Sequence, residues 1–176
     1  MPTKPIGSII GAIAGLVFVL VNAGTVPGSL VWRIAAVIGF VAIAWFVVLR
    51  GPEMEGAQPS RTALRTYAIS VAAMIVAIPV GATIISNVLD RPDAVLVWVV
   101  FVVGAHFLPF ARAFGLPVFR WLSVSLVVVS VVGGVSTFIS GSTTAPGWTG
   151  VVAGFVLLVF SAVGPRLTPA TPTRLD

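Results

Sequence analysis

Six apolar runs divide the chain, at residues 6–23, 30–49, 66–85, 94–111, 121–139 and 148–164. None holds an acidic residue, and only the second holds an arginine, Arg33, near one end. A hydrocarbon core of roughly 30 Å is crossed by about 20 helical residues, so each run is long enough, or nearly so, to span a bilayer. Backbone polar groups in lipid must be satisfied internally, which leaves helices and closed β-barrels as spanning structures. A barrel strand is about ten residues of alternating polarity, whereas these runs are apolar on every face. The expectation is an all-α polytopic membrane protein, a six-transmembrane-helix bundle forming a single domain over residues 1–164. A disordered cytoplasmic tail is expected at 165–176, where Pro165, Pro169 and Pro172 fall among threonines.

Composition agrees with this reading. Charged residues make up 9% of the chain and mean hydropathy is +1.13, against about 25% charged residues in a soluble domain. Too few remain to dress a water-facing surface. The net charge of +5 does not point to nucleic acid, because the basic residues fall between apolar runs rather than in a patch; membrane lipids are the expected partners. The chain has no cysteine, which removes disulfides, thiolate metal sites and cysteine nucleophiles. Lys4, the first run and Val21-Asn22-Ala23 together have the pattern of a signal peptide. The run is longer than the usual signal core, and retention as a helix is expected.

Orientation follows from the basic residues. With the N-terminus in the cytoplasm, Lys4, Arg50, Arg61, Arg65, Arg112, Arg120, Arg166 and Arg174 lie inside, and Arg33 and Arg91 lie outside. Six spans then place both termini inside. Trp32, Trp98 and Trp148 mark the outer ends of their runs, and Trp45, Tyr67 and Trp121 the inner ends, as interfacial aromatic belts do. Each outer connection carries proline just before or within the next helical start, in Thr25-Val26-Pro27-Gly28, Asp90-Arg91-Pro92-Asp93 and Thr144-Ala145-Pro146-Gly147. Proline suits the first helical turn, where its missing N–H has no partner to lose. The same pattern would arise from three repeated hairpins. An inverted repeat of three plus three helices also fits the count, although no residue match supports it.

Gly7, Gly11 and Gly15 recur every fourth residue and share one face of the first helix, with Asn22 near the same stripe. Gly147, Gly150, Gly154 and Ser161 follow a similar line in the sixth. Ser123, Ser130, Gly133, Thr137 and Ser140 make a small, mildly polar seam in the fifth. Small residues at such spacing let helices approach closely, so Gly7, Gly11, Gly15, Gly150 and Gly154 are expected to pack helices, within one bundle, between copies in a homo-oligomer, or against a membrane-protein partner. A solute path along the seams is the competing reading.

The fourth run contains the only histidine, His106, toward its cytoplasmic end. Ionisable residues inside spans often mark substrate or proton paths. Pro109 removes the hydrogen bond to the Ala105 carbonyl, one residue before His106, and Pro79 does the same to Ile75. His106, Pro109 and Asn22 are the candidate solute or proton site. The absences weigh as much. No carboxylate lies in a span, no lysine is available for a Schiff base, and one histidine cannot build a three-ligand zinc site. Walker, HExxH and GxSxG patterns are missing. No catalytic residue, metal site or cofactor is expected, and an enzyme is not expected.

His106-Phe107-Leu108-Pro109-Phe110-Ala111-Arg112, followed by Phe114 and Pro117, resembles a segment of small bacterial multi-pass membrane proteins whose activity is unassigned. The resemblance covers about twenty residues, and those proteins typically carry leucine where Phe110 stands. It implies a bacterial cytoplasmic (inner) membrane protein and transfers no role to any residue. In length, span count and small-residue first helix the chain is also similar to the substrate-binding subunits of energy-coupling-factor vitamin transporters. The functional expectation is small-solute transport or binding within the bilayer. The alternative is a non-transporting scaffold or accessory subunit that packs through its glycine faces.

Overall fold

The computed structural model describes residues 6–50 and 60–164. The expected tail at 165–176 and most of the connection after Arg50 lie outside the described residues. Six α-helices follow in order: α1 (Ile6–Asn22), α2 (Ser29–Arg50), α3 (Arg61–Asn87), α4 (Val95–Phe114), α5 (Pro117–Ser140) and α6 (Ala145–Val163). Single 3₁₀ turns at Ala23–Thr25 and Pro92–Ala94 precede α2 and α4. There is no strand among the described residues. All six helices are long and apolar enough to cross a membrane, and the chain is an integral membrane protein on that ground.

The helices outrun the apolar runs where local chemistry allows. α3 begins five residues before its run because the Ser60 hydroxyl caps it, accepting a hydrogen bond from the Ala63 N–H at 3.1 Å. Its 27 residues measure about 40 Å at 1.5 Å per residue, longer than the roughly 30 Å of a hydrocarbon core. α4 ends at Gly115, whose φ of 62° is left-handed. The N–H groups of Gly115 and Leu116 both return to the Ala111 carbonyl, closing the helix in a Schellman-type turn. Pro117 then starts α5 at once. Neither Pro79 nor Pro109 ends its helix.

Sequential order and spatial order differ. The most extensive interfaces are α1 with α6 and α4 with α5; α5 and α4 also pack on α6, α2 lies on α1 and α6, and α3 lies on α4. The helices thus run in space as α2, α1, α6, α5, α4, α3. Helices α2 and α3 stand at opposite ends, so the three hairpins are not arranged around a common axis.

α1 and α6 run antiparallel with their small residues face to face. A Cβ added at Gly11 would meet the Ser161 side chain, one at Gly15 the Gly154 carbonyl, one at Gly150 Asn22, and one at Gly147 Thr25. Without side chains at these points the two backbones come close enough for dispersion and weak Cα–H···O contacts to hold them. The most buried helix is α6. It joins two apolar clusters: Val19, Ala36, Val151 and Leu158 on the α1–α2 side, and Val100, Leu122, Leu126 and Leu157 on the α4–α5 side. Gly104 performs the equivalent service between α4 and α5, where an added Cβ would stand 2.9 Å from Leu126 Cβ. The outer faces of α2 and α3 carry large exposed apolar side chains such as Ile38 and Ile75, which is where lipid tails would lie.

Candidate functional site

Antiparallel packing brings the starts of α1, α3 and α5 to the same end of the bundle as the finishes of α4 and α6. At that end lies a cavity of about 550 Å³, walled by α1, α4, α5 and α6 and touched from α3 by Met74. It forms because α1 packs along α6 and α2 while α3 packs along α4; neither α1 nor α3 closes the space between them. The walls are apolar and rich in phenylalanine: Phe107, Phe110 and Phe114 from α4, Phe119 from α5, Phe18 from α1 and Phe160 from α6. Ile10, 62% exposed, is among the lining residues, so the cavity is not sealed on the α1 side.

His106 is the only lining residue with an ionisable side chain; Ser8 and Ser161 supply hydroxyls. The Ser161 hydroxyl is already returned to the Leu157 carbonyl at 2.7 Å. The His106 ring is held by Ser70 of α3. Ser70 Oγ lies 2.8 Å from His106 Nδ1 and 3.0 Å from the His106 carbonyl oxygen. A hydroxyl has one proton to give. Both bonds are made in full when Ser70 donates to the carbonyl and the ring donates its Nδ1–H to Ser70 Oγ. In a neutral imidazole that places the acceptor lone pair on Nε2. His106 is thus a lining residue whose ring is held by α3, with Nε2 as the acceptor nitrogen in that tautomer.

The phenylalanines beside it are packed on one another. Phe110 stacks on Phe114 with centroids 4.4 Å apart and meets Phe119 edge-on at 4.6 Å; Phe107 stacks on Phe119 at 5.9 Å. Tyr67 of α3 meets Phe110 edge-on at 5.5 Å. Further out, the Trp98 indole donates to the Ala77 carbonyl at 3.0 Å and lies where a side chain at Gly81 would be. Three points thus fasten α3 to α4: Tyr67, Ser70, and the Ala77–Gly81 notch.

The structure separates the residues grouped by the sequence. His106 lines the cavity. Pro109 is exposed on the outer side of α4 and does not line it; the carbonyl that gains the Ser70 hydroxyl is that of His106, next to the one Pro109 frees. Asn22 is at the other end of the bundle, where its amide returns to the Phe18 carbonyl at 2.8 Å and its side chain lies against Gly150. Gly11, Gly15, Gly150 and Gly154 are packing positions. Gly7 has nothing within 4 Å of an added Cβ and lines the cavity instead. The α5 seam is also packing: Ser130 donates to the Val97 carbonyl of α4 at 2.9 Å, and Thr137 to Gly133 at 2.8 Å.

Ser70 and the phenylalanine wall were not legible as site residues. Ser70 lies 36 positions from His106, a separation no local pattern bridges, and its burial on α3 appears only in the structure. Comparisons with protein-family models, curated proteins and solved structures give no match.

Proposed function

We propose that this chain binds a small apolar ligand within the bilayer, in the cavity between α1 and α4, with His106 as its polar contact. The observation that carries the reading is the cavity itself. Its volume of about 550 Å³ falls within the roughly 300–1,000 Å³ of ordinary ligand pockets. Its composition, an apolar lining with His106 and two serine hydroxyls as its polar side chains, is that of a site that orients a ligand by a few polar groups. The scaffold reading rested on glycine faces free to receive a partner, but those of α1 and α6 meet each other.

The basic residues support an orientation with this end in the cytoplasm. Arg61 and Arg65 start α3, Arg112 closes α4 and Arg120 opens α5, all exposed and all at the cavity end. Arg33 and Arg91 lie at the other. The cavity then sits in the inner leaflet of a bacterial cytoplasmic membrane, with both termini inside.

The test is photolabelling in lipid nanodiscs with a fatty alcohol bearing a diazirine, followed by peptide mapping. Label is expected on Phe107 and Phe119. It should fall severalfold in Gly7→Trp and Ala14→Phe, which fill the cavity from α1, while label on the lipid-facing sides of α2 and α3 stays constant. Equal labelling of Phe107 and Phe119 in the filled variants would remove the cavity as a binding site.

A further inference from the structure

Resting on that reading, we infer that the cavity selects a neutral amphiphile whose head is a hydroxylated aromatic ring, with the ring hydroxyl donating to His106 Nε2. Three observations converge on this chemistry. The first is the direction of the hydrogen bond. Ser70 engages Nδ1 and the His106 carbonyl together, which assigns the ring proton to Nδ1 and leaves Nε2 to accept. A ligand that meets it must bring a donor.

The second is charge. None of the lining residues is Lys, Arg, Asp or Glu, and a charged group taken into such a site without a counter-charge is strongly disfavoured. A hydroxyl needs none.

The third is shape. His106 lies 5.1 Å from Phe107 between ring centroids, and Phe110, Phe114 and Phe119 continue the aromatic wall. Flat rings gain from stacked or edge-on contact with such a wall beyond simple area burial. An alkyl or isoprenoid chain on the ring then runs along Phe18, Val103 and Leu122 of the same cavity, and a phenol or hydroquinone bearing one chain meets all three requirements.

The chain's single histidine makes the test direct. Protein labelled with nitrogen-15 histidine, in nanodiscs at neutral pH, is titrated with 4-octylphenol, 4-octylanisole, 4-octylcyclohexanol and 4-octylbenzoate. Before ligand, Nδ1 should carry the proton and Nε2 should resonate as an unprotonated ring nitrogen. Octylphenol should move Nε2 upfield and bind roughly tenfold more tightly than octylanisole, which has no donor. It should also bind about two- to tenfold more tightly than octylcyclohexanol, which has no aromatic face. His106→Gln, which keeps an acceptor near Nε2, should retain the preference, and His106→Ala should lose it.

Equal binding of phenol, anisole and cyclohexanol, with Nε2 unmoved, would overturn this head chemistry and leave the apolar site standing. Tighter binding of the benzoate would overturn it too, since the ring would then be donating from Nε2. Absence of saturable binding by any probe would overturn the cavity reading itself.

Discussion

Gly15 and Gly154 block each other reciprocally: a Cβ on Gly15 would stand 2.6 Å from the Gly154 carbonyl oxygen, and a Cβ on Gly154 would stand 2.7 Å from the Gly15 carbonyl oxygen. Both obstructing atoms are backbone, and neither can swing aside. At this point α1 and α6 can approach as they do only because both residues lack a Cβ.

Gly15→Ala and Gly154→Ala should each lower stability by about 1–3 kcal/mol, the usual cost of overpacking a close contact. Gly7→Ala is the control. It shares the four-residue spacing but has open space around it, so its unfolding midpoint should not fall. Equal loss at all three positions would mean that the spacing, not the contact, matters.

The Ser70–His106 pair should register in a double-mutant cycle. Interhelical hydrogen bonds in membranes couple by about 0.6 kcal/mol on average and up to about 1.7. His106→Phe keeps the backbone carbonyl that Ser70 also meets, so the cycle reads the Oγ–Nδ1 bond alone. Ser70→Ala, His106→Phe and the double variant, compared by chemical unfolding in micelles, should give a coupling of roughly 1 kcal/mol. Additive losses would mean that the bond adds nothing to the attachment of α3.

The seating of α3 also depends on Trp98 and Gly81. Trp98→Phe removes the donor to the Ala77 carbonyl, and Gly81→Ala puts a methyl where the indole lies. Hydrogen exchange in either variant should quicken in α3, which packs chiefly on α4, and stay unchanged in α6. Uniform acceleration through both helices would show that α3 is not separately held.

Orientation is open to a labelling test because the chain has no cysteine of its own. In right-side-out cells, Thr143→Cys in the exposed connection before α6 should react with an impermeant maleimide. Thr62→Cys, exposed near the start of α3, should react only after the membrane is opened. The reverse pattern would place the cavity in the outer leaflet.

The spans were legible because lipid imposes a length and forbids charge, and both demands are written in consecutive residues. So were the glycine faces of α1 and α6, since a four-residue spacing is a property of one helix. That these two faces meet each other could not be read, because each would pack equally well against any small-residue surface. Asn22 is a different case: an inside start and a helix of 17 residues put it at the opposite end from His106, a separation that span length and orientation alone make legible.

By itself the sequence determined the number of helices, their approximate bounds and the single histidine within them, since the bilayer tests each segment separately. Tertiary structure decided the spatial order α2, α1, α6, α5, α4, α3, and with it the open side between α1 and α4 that makes the cavity. It also decided the partner of the His106 ring, a serine 36 residues away that meets it at Nδ1. In lipid nearly every helix face is apolar, so burial cannot choose neighbours as it does in water. Close backbone approach and a few interhelical hydrogen bonds choose them, and those exist only once the helices are side by side.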